Sequence, residues 1–239
     1  MASSQSSPEL HPLLEQLRGG VIVSCQAAEG NPMQGPEIMA RMAQAAEIGG
    51  AVGTRVESPA DVSAVMAATS IPCLAIYKVD YEGFDVRITP TLRDTQTMIE
   101  TGAPMIALDA TNRPRPNGES LADSVAAIHA AGALAFGDCA TREDLEGALA
   151  AGCDAIGTTL SGYTAESASD SREPDLDLLA WFVTYSPVPV YAEGRYWNPQ
   201  HVAAALEVGA HCVVVGTAIT NPMKTTEYFI NESRKQLES

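Results

Sequence analysis

Five times along the chain, a helix-like stretch ends in glycine and is followed within a few residues by a short apolar run. The repeats read AEIGGAVGT, ETGAPMIALDA, AAGALAFGD, AAGCDAIGTT and EVGAHCVVVG. Their glycines are expected to take the left-handed conformation that ends a helix, and they are Gly49, Gly102, Gly132, Gly152 and Gly209. The runs are continuously apolar, which is typical of parallel strands buried on both faces. The repeat therefore predicts helices alternating with parallel strands.

Eight such runs can be found, and most are separated by 10–15 residues with helical spacing. Three of these helical segments are expected to start at capping residues, which are Ser58, Thr141 and Asn198. The predicted strands lie near residues 20–26, 51–55, 73–78, 105–109, 134–138, 154–159, 188–193 and 212–216. Eight strand–helix units in 239 residues predict a single (β/α)8 (TIM) barrel of the α/β class, one domain over residues 1–239. A doubly wound sheet is the alternative, but the GxGxxG fingerprint is missing after the first strand.

A polar residue or a glycine stands at the end of each predicted strand. The series is Gln26, Arg55, Lys78, Asp109, Asp138, Thr158 with Thr159, Glu193, and Gly216 with Thr217. The carboxyl ends of barrel strands converge on one mouth, where ligands bind. We therefore expect most of these side chains to face a shared cavity. For Asp109, in LDATNRPRP, a second interpretation stays open, in which it braces a neighbouring arginine.

Glycines after the last two strands indicate a phosphate site. Barrels often hold phosphate with main-chain N–H groups after strands seven and eight. Here the segments read AEGRY, with Gly194 and Arg195, and VVVGTAITNP, with Gly216 and Thr217. The glycines allow a close approach of the backbone to phosphate, and Arg195 can supply positive charge.

The net charge is −16, from 30 acidic and 14 basic residues. A field of this sign disfavours binding to nucleic acids and to anionic membrane surfaces, so we expect neither as a partner. It also repels an anionic metabolite, so a phosphate site needs local donors.

The five cysteines lie in or beside apolar runs without a CxxC pair, which predicts buried free thiols in a reducing compartment. The amino terminus lacks the apolar core of a signal peptide, and no run is long enough to span a membrane. The sequence thus predicts a cytoplasmic protein.

The histidines argue against a metal site. His129 and His201 lie in helical patterns, His11 lies near the amino terminus, and His211 precedes strand eight, so none ends a strand. A GxSxG elbow and a Cys/His pair are also missing. A lysine and carboxylates in one cavity remain, which suits proton transfer next to a carbonyl or formation of a Schiff base.

Residues 14–232 resemble a known family, the bacterial N-acylglucosamine-6-phosphate 2-epimerases (N-acetylmannosamine-6-phosphate 2-epimerases) of sialic-acid catabolism. The motifs come in the family's order: IVSCQA, GGAVGTR, IYKVDY with ITPT, IALDAT with RPRPNGE, GTTLSGYT, AEGRY and VVVGTAIT. The resemblance implies interconversion of N-acetylmannosamine-6-phosphate and N-acetylglucosamine-6-phosphate without a metal or organic cofactor. It also implies a homodimer.

Carried over by motif, the resemblance makes Lys78 and Glu193 the catalytic pair. It makes Gln26, Arg55 and Asp138 sugar contacts. Thr159 is also predicted to bind substrate, because it lies at the end of a strand in the same ring. Phosphate contacts through main-chain N–H groups are implied for Gly194, Gly216 and Thr217.

The chain departs from the family at Asn221, where the family commonly has arginine, so a phosphate cation is missing. Three consequences stay open: a lower affinity, compensation by Arg195, or a substrate with a different anionic group. Two other functions stay open, a Schiff-base phosphosugar lyase using Lys78 and a non-catalytic phosphosugar sensor. Burial beside Arg55 would lower the pKa of Lys78 and Glu193 would raise it, and the sequence does not decide the balance.

Overall fold

The computed structural model describes residues 10–238, in which eight parallel strands close into a barrel in chain order. The strands are β1 (Val21–Cys25), β2 (Gly53–Glu57), β3 (Cys73–Ile76), β4 (Met105–Asp109), β5 (Leu134–Asp138), β6 (Ala155–Gly157), β7 (Val190–Glu193) and β8 (Cys212–Val215). The predicted (β/α)8 fold is confirmed. Residues 1–9 and 239 lie outside the described residues. The single-domain prediction covers them, and the absence of a signal peptide was inferred partly from residues 1–9.

Ten α-helices are seen in the described part of the chain. They are α1 (Pro12–Leu17), α2 (Pro36–Ile48), α3 (Pro59–Ala68), α4 (Leu92–Ile99), α5 (Leu121–Ala130), α6 (Arg142–Ala151), α7 (Leu176–Tyr185), α8 (Pro199–Val208), α9 (Thr217–Thr220) and α10 (Pro222–Glu238). The predicted helix starts are confirmed: Ser58 and Asn198 accept hydrogen bonds from the first turns of α3 and α8, and Thr141 forms a capping box with Asp144.

Two apolar cores hold the barrel together. Inside the barrel, Leu74, Phe136 and Tyr191 are almost wholly buried, and α1 closes the amino-terminal end with Leu14 and Leu17. A second core fills the layer between the outer faces of the strands and the helices. Because both faces of the strands are buried, the strands need continuous apolar runs. Apolar side chains fill the barrel interior, so polar residues that could react with a ligand are found at the mouth.

The predicted position of β2 was wrong by two residues. The strand runs over Gly53–Glu57, with Arg55 in its middle and paired in register with Ser24 and Leu74. The sequence pattern ended the strand at Arg55 because a charge interrupts the apolar run. The strand continues because this charge is neutralised inside the barrel.

The predicted role of Gly49 was also wrong. Gly49 keeps a helical φ of −73°, and the left-handed conformation belongs to Gly50, at φ 93°. The N–H of Ala51 then donates to the carbonyl of Ala46, which closes the end of α2. The other four glycines have positive φ as expected.

A short segment, residues 87–89, separates the carboxyl ends of β3 and β4, and we call it the wedge. Direct pairing of these strands covers only Leu74 with Met105 and Ala75 with Ile106. Beyond that point the N–H of Thr89 donates to the carbonyl of Tyr77 (2.7 Å), and the N–H of Asp109 donates to the carbonyl of Ile88 (2.9 Å). The Thr89 hydroxyl donates to the carbonyl of Ala107 (2.8 Å). The wedge thus continues the ladder and brings Ile88 to the barrel mouth.

All five cysteines are buried and free, as predicted. Within residues 10–238, no helix combines the length and apolarity needed to cross a membrane.

Candidate active site

Two cavities open at the carboxyl ends of the strands and share part of their walls. The β8 lobe, of about 350 Å³, includes Gly194, Arg195, Gly216, Thr217 and Asn221. The β3 lobe, of about 310 Å³, includes Arg55, Ile76, Ile88, Arg113 and Leu160. The residues that line both lobes are Gln26, Lys78, Thr159, Tyr163 and Glu193. An amine and a carboxylate therefore face the space where the two lobes meet.

Arg55 is the buried cation beneath this junction, with 1% of its surface exposed. Its Nη1 donates to Asp138 Oδ1 (2.9 Å) and to Glu193 Oε2 (2.8 Å), and its Nη2 donates to Asp138 Oδ2 (2.7 Å). The two-point contact with Asp138 fixes the guanidinium plane. A single arginine therefore sets the position of the Glu193 carboxylate.

Thr159 links the same two carboxylates from β6. Its hydroxyl lies 2.5 Å from Asp138 Oδ1 and 3.3 Å from Glu193 Oε2. Asp138 is fully buried and lines neither lobe. Its contacts are with Arg55 and Thr159, so its place in the structure is that of a support beneath the cavity floor.

Lys78 is held from β1. Its Nζ donates to Gln26 Oε1 (2.7 Å), and Gln26 Nε2 donates to Ser24 Oγ (2.7 Å). The serine thereby orients the amide so that its oxygen faces the lysine. Ser24 and Gln26 lie two residues apart, so their side chains share the inner face of the barrel.

The pocket shifts the pKa values of both candidate proton-transfer groups. Burial raises the pKa of Glu193, and the nearby Asp138 acts in the same direction against the attraction of Arg55. Although Lys78 is reachable from the mouth, desolvation by the surrounding walls and then the charge of Arg55 lower its pKa. The sequence left open whether the pKa of Lys78 is raised or lowered, and in the structure it is lowered. Both shifts ease proton exchange near neutral pH.

The wall of the β8 lobe includes glycines, where the main chain is directly accessible to a ligand in the cavity. Gly194 has φ 106°, and Arg195 beside it has φ 64°, in the left-handed region. A Cβ at Gly216 would lie 3.3 Å from Ser24 Cβ, so a larger residue would crowd the lobe. Thr217 begins α9 directly after this glycine. The backbone N–H groups of these segments are the donors that an anion requires.

The cationic side chains that line the β8 lobe, among the described residues, are Lys78 and Arg195. The Arg195 guanidinium lies over the ring of Tyr163, 6.0 Å from its centroid. Asn221 also lines the lobe, but its side-chain oxygen accepts from the N–H of Lys224 (3.1 Å) at the start of α10. At this position the residue caps a helix and brings no charge.

Two members of the predicted ring, Thr158 and Asp109, form hydrogen bonds with other parts of the protein. The Thr158 hydroxyl donates to the carbonyl of Glu193 (2.9 Å), between strands, and the residue lines neither lobe. Asp109 accepts from Arg113 Nη2 (2.7 Å) and from the Thr111 hydroxyl (2.6 Å) while forming part of the β3 lobe. The alternative in which Asp109 braces an arginine is confirmed. Thr158 does not belong to the cavity wall, because its hydroxyl is bonded to the main chain of Glu193, whereas its neighbour Thr159 lines both lobes.

Several wall residues were missed by sequence reasoning. Ser24 was detectable from the two-residue alternation that it shares with Gln26. Ile88, Leu160 and Tyr163 come from the two long loops that follow β3 and β6. The sequence indicates that these loops reach the mouth but not which side chains turn inward.

Among residues 10–238, no cluster of three or more His, Cys, Asp or Glu side chains has a metal-binding arrangement.

Comparisons with known proteins place the sequence of this chain in a family. A family model described as "Putative N-acetylmannosamine-6-phosphate epimerase" matches residues 39–235. A protein of Clostridium perfringens strain SM101, named "Putative N-acetylmannosamine-6-phosphate 2-epimerase", is 42% identical over 91% of this chain and 98% of its own length. A protein of the same name from Enterobacter sp. strain 638 is 44% identical over 91% of this chain and 94% of its own.

A solved structure agrees with the sequence matches. The N-acetylmannosamine-6-phosphate 2-epimerase from Clostridium perfringens superimposes with a TM-score of 0.90 and 40% identity, covering 95% of this chain and 99% of the other. Sequence and structure thus agree over nearly the whole length of both proteins. The chain belongs to the N-acetylmannosamine-6-phosphate epimerase family.

Proposed function

We propose that this chain is an isomerase that interconverts N-acetylmannosamine-6-phosphate and N-acetylglucosamine-6-phosphate by removing and returning the proton at C2. The observation that carries the proposal is that Lys78 and Glu193 line both lobes and face the space between them. An amine just after β3 and a carboxylate at the end of β7 can approach one carbon from two sides. Inversion at that carbon requires this arrangement, because the proton leaves one face and returns to the other.

The proton at C2 is acidic enough only when C1 is an aldehyde, so the sugar reacts in its open form. One of Lys78 and Glu193 takes the proton and the other returns one to the opposite face. Arg55 lines the β3 lobe and supplies positive charge against the enolate. Gln26 and Thr159 line both lobes and supply further hydrogen bonds to the sugar. Asp138 acts through Arg55 and Thr159, which it holds in place.

The phosphate occupies the β8 lobe in this proposal. Main-chain N–H groups of Gly194, Gly216 and Thr217 are its donors, and the glycines permit their close approach. Arg195 provides the charge that Asn221 does not. These local donors work against the net charge of −16.

An NMR time course with N-acetylmannosamine-6-phosphate in D₂O tests the proposal. We expect N-acetylglucosamine-6-phosphate to form with deuterium at C2, and Lys78→Ala and Glu193→Ala each to abolish turnover while the circular dichroism spectrum is retained. Product that remains protonated at C2 would contradict exchange with solvent. Borohydride treatment with substrate serves as a control, since a covalent adduct on Lys78 would indicate the Schiff-base lyase instead.

We also propose a homodimer. The last helix, α10, supports it, because Phe229 is 68% exposed and Met223 and Ile230 are each 45% exposed. Large apolar side chains exposed on one helix favour burial against a partner. Light scattering should give twice the chain mass for the wild type and a lower mass for Phe229→Glu. Cytoplasmic location and a place in sialic-acid catabolism stay predictions.

A further inference from the structure

The β3 lobe differs from the β8 lobe in the chemistry of its walls. It includes three apolar side chains that do not line the other cavity, Ile76, Ile88 and Leu160. Ile76 and Ile88 are buried, and Leu160 is half-buried at the start of the loop after β6. The lobe therefore offers an apolar wall directly beside Lys78 and Glu193.

The wedge explains why an apolar wall exists at a polar barrel mouth. Its hydrogen bonds to β3 and β4 fix Ile88 between the two strand ends. The neighbouring residues at this level are Lys78, two residues after β3, and Asp109, at the end of β4, and both have ionisable side chains. Without the wedge, the mouth would be lined by charges on this side.

The substituents of C2 divide between the two lobes. C2 carries a hydrogen, C1, C3 and the acylated nitrogen, and the proposed function puts it at the junction. The chain from C3 to the phosphate takes the β8 lobe, which leaves C1 and the acyl group for the β3 lobe. An acyl group ends in a methyl or methylene carbon, and burial of such a carbon against an apolar wall is favourable.

We infer that the β3 lobe is the acyl-binding subsite and that Leu160, with Ile88, sets the size of the acyl group accepted. The inference rests on the proposed function, since it uses the same substrate. A water molecule takes about 30 Å³ in the liquid, so a lobe of about 310 Å³ has room for more than an acetyl group. The lobe accepts N-glycolyl and longer acyl groups, and the polar rim of Asp85, Arg87 and Arg113 suits the glycolyl hydroxyl.

The test compares kcat/KM for mannosamine-6-phosphates that carry N-acetyl, N-glycolyl, N-propanoyl and N-butanoyl groups. Leu160→Phe narrows the lobe and should lower the butanoyl-to-acetyl ratio by about tenfold or more, the usual effect of a methylene in an apolar pocket. Leu160→Ala widens it and should raise the same ratio. Because each ratio is taken within one variant, a fraction of unfolded protein cancels.

Leu92→Phe is the matched control, since Leu92 lies on α4 and lines neither lobe, and its ratio should equal that of the wild type. If both Leu160 variants keep the wild-type ratio while all proteins turn over the acetyl substrate, the subsite is wrong and the epimerase proposal stands. If the wild type turns over none of the four compounds, both proposals fall.

Discussion

At the scale of single residues, the pKa values of Glu193 and Lys78 are displaced toward each other by one pocket. The group that acts as base must be unprotonated and the group that acts as acid must be protonated. Turnover therefore requires the state in which one of the two groups, and not both, carries a proton. The acid limb of the pH profile reports the raised pKa of Glu193, and the alkaline limb reports the lowered pKa of Lys78. We expect a bell that is narrower than the interval from 4.5 to 10.5 between the ordinary values of these groups.

The profile should be measured as kcat with saturating substrate. The second pKa of a phosphate is about 6, so its titration would otherwise affect substrate binding. Circular dichroism at each pH controls for unfolding. Limbs at the ordinary values of glutamate and lysine would mean that the pocket does not desolvate the pair.

Asp138→Asn should reduce both stability and turnover. Asp138 and Arg55 are buried partners, and removing one charge leaves Arg55 with Glu193 alone. Loss of one member of such a pair costs about 3–5 kcal/mol in the free energy of unfolding. Denaturant titration checks this value, and kcat falls because Asp138 no longer fixes the plane of the Arg55 guanidinium that positions Glu193.

Glu37→Gln is the control for that experiment. Glu37 pairs with Arg41 on the exposed face of α2, so its loss should cost less than about 1 kcal/mol. If both variants lose the same free energy of unfolding, the buried Asp138–Arg55 pair contributes no more to stability than an exposed pair.

The side chains at strand ends were predictable because strand alternation and barrel convergence leave little freedom there. Gln26, Lys78, Thr159 and Glu193 meet at the junction of the lobes, as these rules imply. What the sequence could not show is depth. Asp138 looks equivalent to Glu193 in the sequence, yet it lies beneath the cavity floor because Arg55 and Thr159 cover it.

At the scale of structural elements, the wedge depends on one hydroxyl. Thr89 is fully buried at φ 46°, its hydroxyl donates to the carbonyl of Ala107 (2.8 Å), and the N–H of Tyr77 donates to it (3.2 Å). Thr89→Val keeps the branched shape of the side chain but leaves both main-chain groups without this partner. Each buried polar group left unpaired costs about 1–3 kcal/mol.

We therefore expect Thr89→Val to lower the free energy of unfolding by about 2 kcal/mol or more, measured by denaturant titration. Turnover should fall as well, because Ile88 and Lys78 lie beside the affected ladder. Thr184→Val is the control, since its hydroxyl bonds only within the exposed face of α7 and its loss should change stability by less than about 0.5 kcal/mol. An unchanged Thr89 variant would mean that the wedge is held by its main chain alone.

Regular elements followed from the sequence, and the wedge did not. Helix caps at Ser58 and Asn198 and the glycine ends of the helices are local signals that need no tertiary context. The wedge is three residues in a long loop, and its pairing with β3 and β4 exists only after the barrel closes. The end of β2 was misplaced for the same reason, since Arg55 is stabilised by partners 83 and 138 residues away.

At the scale of the whole molecule, a net charge of −16 opposes a phosphorylated substrate until it reaches the donors of the β8 lobe. Salt screens charges beyond the Debye length, about 10 Å at 0.1 M. The distant repulsion is therefore screened before the contacts inside the lobe. We expect KM to fall when sodium chloride rises from about 0.01 to about 0.1 M.

Initial rates over that salt range check the prediction, with kcat as the internal control because it should stay constant. Arg195→Met should raise KM at every salt concentration without reversing the trend, since Arg195 acts inside the lobe. A KM that rises steadily with salt would mean that local cations dominate the approach as well as the binding.

The enclosure of the five cysteines has a practical consequence. Burial raises the pKa of the Cys25, Cys73, Cys153 and Cys212 thiols to about 12, so the reactive thiolate is scarce while the barrel is closed. Chemical labelling of these sulfur atoms must then wait for the chain to open. The rate at which an alkylating reagent reacts with these cysteines then measures how often the barrel opens. Substrate that binds only the closed barrel should lower this rate.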